Sequence, residues 1–191
     1  MMRIITGTAK GIKLKTLEGN ETRPTSERVK EAVFSMIQFE LEGRQVLDLF
    51  AGSGQMGLEA LSRGAARATM IDHSKDAIRI IRENAEKAHL LEQCDIFSCD
   101  YMDFIRRCRG AQFDIVFLDP PYALGFYQPA LTAMAEYGLL KPSSMIICES
   151  ADADLLADNA FLQEHFTVLR QSHYSKSFIT IFGIKEKTDH E

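Results

Sequence analysis

Two apolar periods alternate along most of the chain. Short runs rich in β-branched and aromatic residues, as buried strands are, take turns with segments whose apolar residues return every third or fourth position, as one face of a helix does. The strands predicted in this way are Val46–Phe50, Ala68–Ile71, a stretch near Cys94–Ser98, Phe113–Leu118, one within Leu139–Glu149, Thr167–Gln171 and Ser177–Ile184. Helices are expected after Gly54 to about Arg63, from Ser74 or Asp76 with Ile78, Ile81 and Ala85 inward, over Asp100–Arg107, over about Phe126–Tyr137, and over Ala153–Phe161. Regular alternation with short connections predicts an α/β fold with a doubly wound, mostly parallel sheet. About five residues separate the last two strands, too few for a crossover, so that pair is expected to be antiparallel.

The N-terminal part reads differently. Arg3–Thr6 and Ile12–Lys15 alternate loosely around Gly7 and Gly11, which predicts a hairpin over residues 2–8 and 12–16. A polar stretch, Glu18–Thr22, follows. Arg23-Pro24-Thr25-Ser26-Glu27 then opens a helix that Thr25 or Ser26 can cap, with Val29, Val33, Met36 and Ile37 inward and Gly43 ending the segment. The domain reading is a hairpin extension (1–22), a main domain (23–185) and a frayed tail (186–191).

The strand Phe113–Leu118 stops abruptly at Asp119-Pro120-Pro121-Tyr122. Neither proline can donate to a sheet, and each biases its predecessor towards extended backbone. A carboxylate, two stiff residues with free carbonyls and an aromatic ring therefore gather at the carboxyl end of a central strand, where open α/β sheets bind ligands. That set suits a planar ring bearing an exocyclic amino group.

Gly52, Gly54 and Gly57 have the G-x-G-x-x-G spacing of a dinucleotide site, at a strand-to-helix turn. Asp48 beside that turn would repel a pyrophosphate and attract a cationic amine or sulfonium. Asp72 ends the second strand, placed to accept from ribose hydroxyls. A ribose and a cation without phosphate describe S-adenosylmethionine better than NAD. Asp100 can accept from an adenine amino group with Tyr101 or His73 against the ring, or can simply cap the next helix.

Composition sets the frame. The 191 residues are enough for one domain; 46% are hydrophobic and 26% charged, which is ordinary globular composition. No apolar run approaches a membrane span, and the N-terminal apolar stretch is too short for a secretory signal, so a cytoplasmic protein is expected. Cys94, Cys99, Cys108 and Cys148 lack metal-knuckle spacing, so no metal site is expected and the thiols read as reduced and packed. Net charge is −5, yet residues 1–30 carry seven basic against three acidic side chains, a net +4, while the remainder carries 15 against 24, a net −9. A basic segment on an acidic body is either a phosphate-facing patch or a solvated ribbon.

Taken in order, Asp48-Leu49-Phe50-Ala51-Gly52-Ser53-Gly54, Asp72, Asp100 and Asp119–Tyr122 resemble the class I S-adenosylmethionine-dependent amino-methyltransferases with an [Asn/Asp]-Pro-Pro-Tyr motif. Arg3-Ile4-Ile5-x-Gly7, Gly11 and Arg23-Pro24-Thr25-x-x-Arg28-Val29-Lys30-Glu31-Ala32-Val33-Phe34 resemble the bacterial 16S ribosomal RNA guanine-N2 methyltransferase family, over nearly the whole chain. The resemblance implies a seven-stranded Rossmann-like methyltransferase sheet, S-adenosylmethionine as cofactor, and 16S rRNA of the small ribosomal subunit as partner. It implies Asp119, Pro120, Pro121 and Tyr122 as the catalytic motif, and Asp48, Phe50, Gly52, Gly54, Asp72, His73, Asp100, Tyr101 and Thr25 around the cofactor. Arg3, Lys10, Lys13, Arg23 and Arg28 are the expected RNA contacts, with Lys15 beside them; Arg23 and Arg28 can equally meet the cofactor carboxylate or lie solvated. His173, Tyr174 and Lys176, in the loop between the last strands, can touch substrate. A DNA or protein amino-methyltransferase shares the motif, although the chain has no room for a separate target-recognition domain. An NAD-dependent oxidoreductase leaves Asp119–Tyr122 unexplained, and a non-catalytic RNA-binding protein has no use for Asp119. With no obvious interface helix, a monomer is expected.

Overall fold

All six side chains of Phe113–Leu118 (β4) are buried, as the β-branched and aromatic run requires of a strand covered on both faces. The structure is a computed structural model, and it describes residues 2–17, 27–121, 125–174 and 177–185. Beside β4 lie Gln45–Asp48 (β1), Arg67–Asp72 (β2), Cys94–Ser98 (β3), Leu140–Ser150 (β5), Phe166–Tyr174 (β6) and Ser177–Ile184 (β7). They form one seven-stranded sheet in the order β3-β2-β1-β4-β5-β7-β6. β1 to β5 pair in parallel, and β7 runs antiparallel between β5 and β6. The doubly wound sheet with an antiparallel last strand is the architecture that the β–α alternation predicts.

Alternate residues of the strands feed two cores. Ile115 and Phe117 of β4 join Val46, Met70 and Ile147 on one face, under Glu27–Met36 (α1), Gln55–Ser62 (α2) and Lys75–Lys87 (α3). Val116 and Leu118 join Leu47, Ile146 and Cys148 on the other, under Tyr101–Arg107 (α4), Tyr127–Glu136 (α5) and Ala160–His165 (α6). α3 shows why these helices form where they do. The Ser74 hydroxyl accepts from the Ala77 amide at its start, Asp76 and Lys87 complement the dipole, and Ala77, Ile80, Ile81 and Ala85 are buried.

Four expectations need correction. The N-terminal hairpin is present but short: backbone bonds join Met2 and Ile4 to Gly11, Ile12 and Leu14 around the Arg3–Lys13 bridge, and beyond it α2 captures the backbone that a longer ladder would use. Glu59 takes the amides of Ile5 and Thr6, and Ser62 takes those of Thr8 and Ala9. α1 ends at Met36, well before Gly43. The helix expected over Ala153–Phe161 is confined to Ala160–His165. Ahead of it the Asp154 carboxylate accepts from the Leu156 amide, Asp158 has φ 56°, and Asn159 supplies the cap, so local side-chain bonds displace helical ones. β6 runs on to Tyr174, pairing His173 with Phe178 and Tyr174 with Ser177, so His173 and Tyr174 belong to the ladder and not to a loop. The Glu18–Thr22 stretch, the Thr25 or Ser26 cap, Lys176 and the 186–191 tail lie outside the described residues.

Candidate active site

β1 is flanked by β2 on one side and β4 on the other, so the chain reverses direction across the sheet at the β1/β4 pair. The carboxyl ends of these strands therefore open the crevice in which doubly wound folds bind ligands. The residues after β1, β2, β3 and β4 meet there.

The turn after β1 is built for backbone approach. Gly52 has φ 55° and Gly54 φ 78°, both left-handed, and a methyl group at Gly52 would meet nothing within 4 Å. At Gly57 a methyl group would stand 2.7 Å from the Met70 Sδ, so this glycine lets α2 press onto the sheet. Asp72 fastens the turn. Its Oδ2 accepts from the Gly52 amide at 2.9 Å and its Oδ1 from the Ser74 amide at 2.8 Å. A carboxylate has about four acceptor positions, so each oxygen keeps capacity for a hydroxyl. His73 stands exposed, 3.6 Å from Asp72.

Asp48 differs from its expected place. It is almost wholly enclosed and accepts from the Gly57 amide at 3.2 Å, tying the start of α2 to β1. Burial pushes its carboxyl up to about 7, with the Gly57 bond opposing and nearby Asp72 adding to the rise. It acts on the turn from within.

Phe50, Tyr101 and Phe126 form a ring cluster, with centroids 5.1 Å apart for Phe50–Tyr101 and 5.5 Å for each ring against Phe126. They come from the segments that follow β1, β3 and β4 and make an aromatic wall beside the glycine turn. Phe126 was not among the expected residues; its signal is an aromatic immediately ahead of the helix that follows the Pro-Pro turn. Asp100 serves as the cap of α4, its Oδ1 accepting from the Met102 and Asp103 amides. Gln55, the first residue of α2, was also missed. Its Oε1 is buried without a hydrogen-bond partner among the described residues. Such an atom beside an open turn is suited to a ligand's donor.

Asp119 is half-buried and Pro120 buried at the end of β4, with Pro121 exposed. A small cleft there is lined by Val33, Met56, Phe117, Leu118, Asp119, Ile147 and Glu149. Glu149 was missed as well, although it is an acid at the carboxyl end of a central strand, the rule that singled out Asp72 and Asp119. Tyr122, Arg23 and Thr25 lie outside the described residues.

The basic N-terminal segment is less free than its charge suggests. Lys30 is buried at 1% exposure against Glu59 at 0%, with Nζ to Oε2 at 3.2 Å, and it donates to the Arg3 carbonyl at 2.5 Å. Arg3 pairs with Glu27 at 3.5 Å, and Lys15 with Glu83 at 2.5 Å. Lys10, Lys13 and Arg28 are exposed on the same part of the molecule. Asn84, fully buried, bonds both the N–H and the C=O of Lys15 and donates to the Ser53 carbonyl in the glycine turn.

Known proteins resemble this chain in sequence and fold. Residues 2–183 match the protein family described as conserved hypothetical protein 95. The chain is 33% identical over 173 residues to ribosomal RNA small subunit methyltransferase D of Haemophilus influenzae, covering 89% of this chain and 87% of that one. It is 34% identical over 149 residues to the protein of the same name from Escherichia coli, covering 78% and 74%. Among solved structures, an Escherichia coli protein described as a candidate methyltransferase superposes with a TM-score of 0.82 at 28% identity, covering 97% of this chain and 99% of that one. An RNA methyltransferase from Salinibacter ruber, solved with S-adenosyl-L-homocysteine, shares the fold with a TM-score of 0.68 at 16% identity, over 88% and 97% of the two chains.

Proposed function

This chain belongs to the family described as conserved hypothetical protein 95, and from that membership we propose that it is an S-adenosylmethionine-dependent methyltransferase acting on the exocyclic N2 of one guanine in 16S ribosomal RNA. The observation that carries the reading is the position of Asp119-Pro120 at the end of β4, one strand from the glycine turn after β1. A base held at the first faces a cofactor held at the second.

The residues present fit that cofactor. Asp72 has acceptor capacity for a ribose diol, the wall of Phe50, Tyr101 and Phe126 suits an adenine, and the open Gly52 backbone with Gln55 Oε1 suits the amino-acid part. When bound, S-adenosylmethionine supplies a methyl group on a cationic sulfur that leaves as a neutral thioether. The protein's task is the other partner. The N2 lone pair of guanine is delocalised into the ring and is a poor nucleophile. The Asp119 carboxylate and the Pro120 carbonyl each accept one N–H bond from the amino group, which turns the lone pair towards the methyl. With that methyl donor bound, positive charge would grow on N2 as it takes the methyl, and the Asp119 carboxylate would stabilise that charge and accept the departing proton. Catalysis here is positioning plus fixed acceptors. Tyr122 is proposed to stack on a base splayed out of the RNA. Lys10, Lys13 and Arg28, with Arg3 and Arg23, are proposed to meet phosphates. The enzyme works as a cytoplasmic monomer, on the small subunit or an assembly intermediate.

Labelled S-adenosylmethionine tests this, offered with unmethylated small subunits, protein-free 16S RNA and duplex DNA in parallel. Label in N2-methylguanosine after digestion is expected from an RNA arm. Label confined to another nucleoside, to DNA or to protein overturns the assignment.

A further inference from the structure

Glu149 stands at the carboxyl end of β5, the neighbour of β4. The two strands pair in parallel with Phe117 beside Ile147 and Leu118 beside Cys148. The next step of that register sets Asp119 beside Glu149. Side chains two apart on a strand share a face. Phe117 and Ile147 both pack into the core under α1 and α2, so Asp119 and Glu149 follow them onto that face. Both line the one cleft, whose other walls are Val33, Met56, Phe117, Leu118 and Ile147. Among the described residues the cleft is thus apolar except for two carboxylates on neighbouring strands. Glu149 is fixed at its backbone as well, since its carbonyl accepts from the Tyr127 hydroxyl on α5.

Two adjacent acceptors complement two adjacent donors. On its Watson–Crick edge guanine carries N1–H next to the 2-amino group. Adenine carries a bare N1 lone pair next to its amino group, and cytosine a bare N3. We propose that Glu149 is the residue that makes this site choose guanine: its carboxylate accepts from N1–H while Asp119 holds the amino group. The assignment rests on the guanine-N2 reading above and deepens it. An amino group alone does not distinguish the bases; the neighbouring ring nitrogen does. A carboxylate facing a ring lone pair is repelled, and Glu149 and Asp119 are half-buried, so the mismatch discriminates against the wrong base.

The experiment first locates the labelled guanosine on the RNA that accepts methyl. That single position is then replaced by 2-aminopurine through ligation of synthetic RNA. 2-Aminopurine keeps the 2-amino group and presents an unprotonated N1. Wild-type enzyme is expected to methylate it at least about tenfold less efficiently than guanine. Glu149→Gln offers an amide N–H that can donate to that bare N1, so its preference for guanine should shrink several-fold or reverse, with cofactor affinity and melting temperature retained. A merely structural role would lower both substrates equally and leave the ratio unchanged. Equal wild-type rates on guanine and 2-aminopurine overturn the role of Glu149, and so does an unchanged ratio in the variant. That first result needs no variant to fold. Absence of N2-methylguanosine from wild type on unsubstituted RNA would instead sink the reaction assignment itself.

Discussion

Replacing Glu59 with glutamine removes the charge at the centre of the N-terminal docking. Glu59 is wholly buried and accepts from the Ile5 amide at 2.8 Å, the Thr6 amide at 3.0 Å, the Arg63 Nε at 2.8 Å and the Lys30 ammonium at 3.2 Å. Glutamine keeps one acceptor oxygen, so at most part of this set survives. Lys30 then remains at 1% exposure with the Arg3 carbonyl and only the weaker influence of Glu27 in place of its paired charge. Breaking one side of a buried pair costs about 3–5 kcal/mol, a large share of the ~5–15 kcal/mol that holds a domain together. Desolvation already lowers the Lys30 pKa, with Glu59 opposing. Removing Glu59 lowers it further. A lysine depressed in the folded state binds fewer protons there than in the unfolded chain, so stability rises with pH towards its ordinary value of 10.5. The deficit of Glu59→Gln should therefore narrow as pH increases. Urea melts of wild type, Glu59→Gln and Glu59→Gln/Lys30→Met read this directly. The double variant carries neither charge and should recover much of the loss. A Glu59→Gln cost under about 1 kcal/mol, or a double variant as unstable as the two singles added, would refute the reasoning.

Asp119→Ala should keep cofactor affinity and lose turnover by orders of magnitude, measured by label transfer and by calorimetric titration; near-normal turnover would remove Asp119 from the reaction. Asp48→Asn should gain on wild type as pH rises from about 4 to 7, because a carboxyl raised from 3.8 to about 7 stabilises the fold only while protonated. At about 1.4 kcal/mol per unit the gain amounts to a few kcal/mol, read from melts at fixed ionic strength. Gly7→Ala should be strongly destabilising, since its φ is +88° and the added methyl would stand 1.7 Å from the Ser62 carbonyl oxygen. Reversing Lys10 and Lys13 to glutamate should weaken RNA binding and flatten its salt dependence, leaving cofactor affinity unchanged.

The carboxyl edge of the sheet was largely legible because its signals are local. Phe113–Leu118 declares a doubly buried strand by composition, and two prolines mark where it stops. The glycine turn and Asp72 follow the same logic, one turn and one strand end at a time. What escaped depends on partners far apart in sequence. Lys30 reads as one more surface lysine in a basic segment until Glu59, 29 positions later, is found beside it in the core. Asp100 reads from sequence as an adenine acceptor or a helix cap, and the amides of Met102 and Asp103 show that it caps. The helix expected near Ala153 was misjudged because the Asp154 carboxylate, which looks solvated, instead bonds the adjacent backbone. Phe126 and Glu149 gain meaning only when the sheet brings separate strand ends together.

Asn84 carries a thermodynamic consequence. One buried side chain grips the Lys15 backbone from the N-terminal segment and the Ser53 carbonyl from the glycine turn. Two surfaces that share such an anchor do not equilibrate independently. If nucleic acid on the N-terminal segment settles that anchor, part of that ordering reaches the turn. Linkage then makes the effect reciprocal: whatever factor the RNA adds to cofactor affinity, the cofactor returns to RNA affinity. Replacing Asn84 with alanine would uncouple the two sites, leaving each ligand's affinity indifferent to the other.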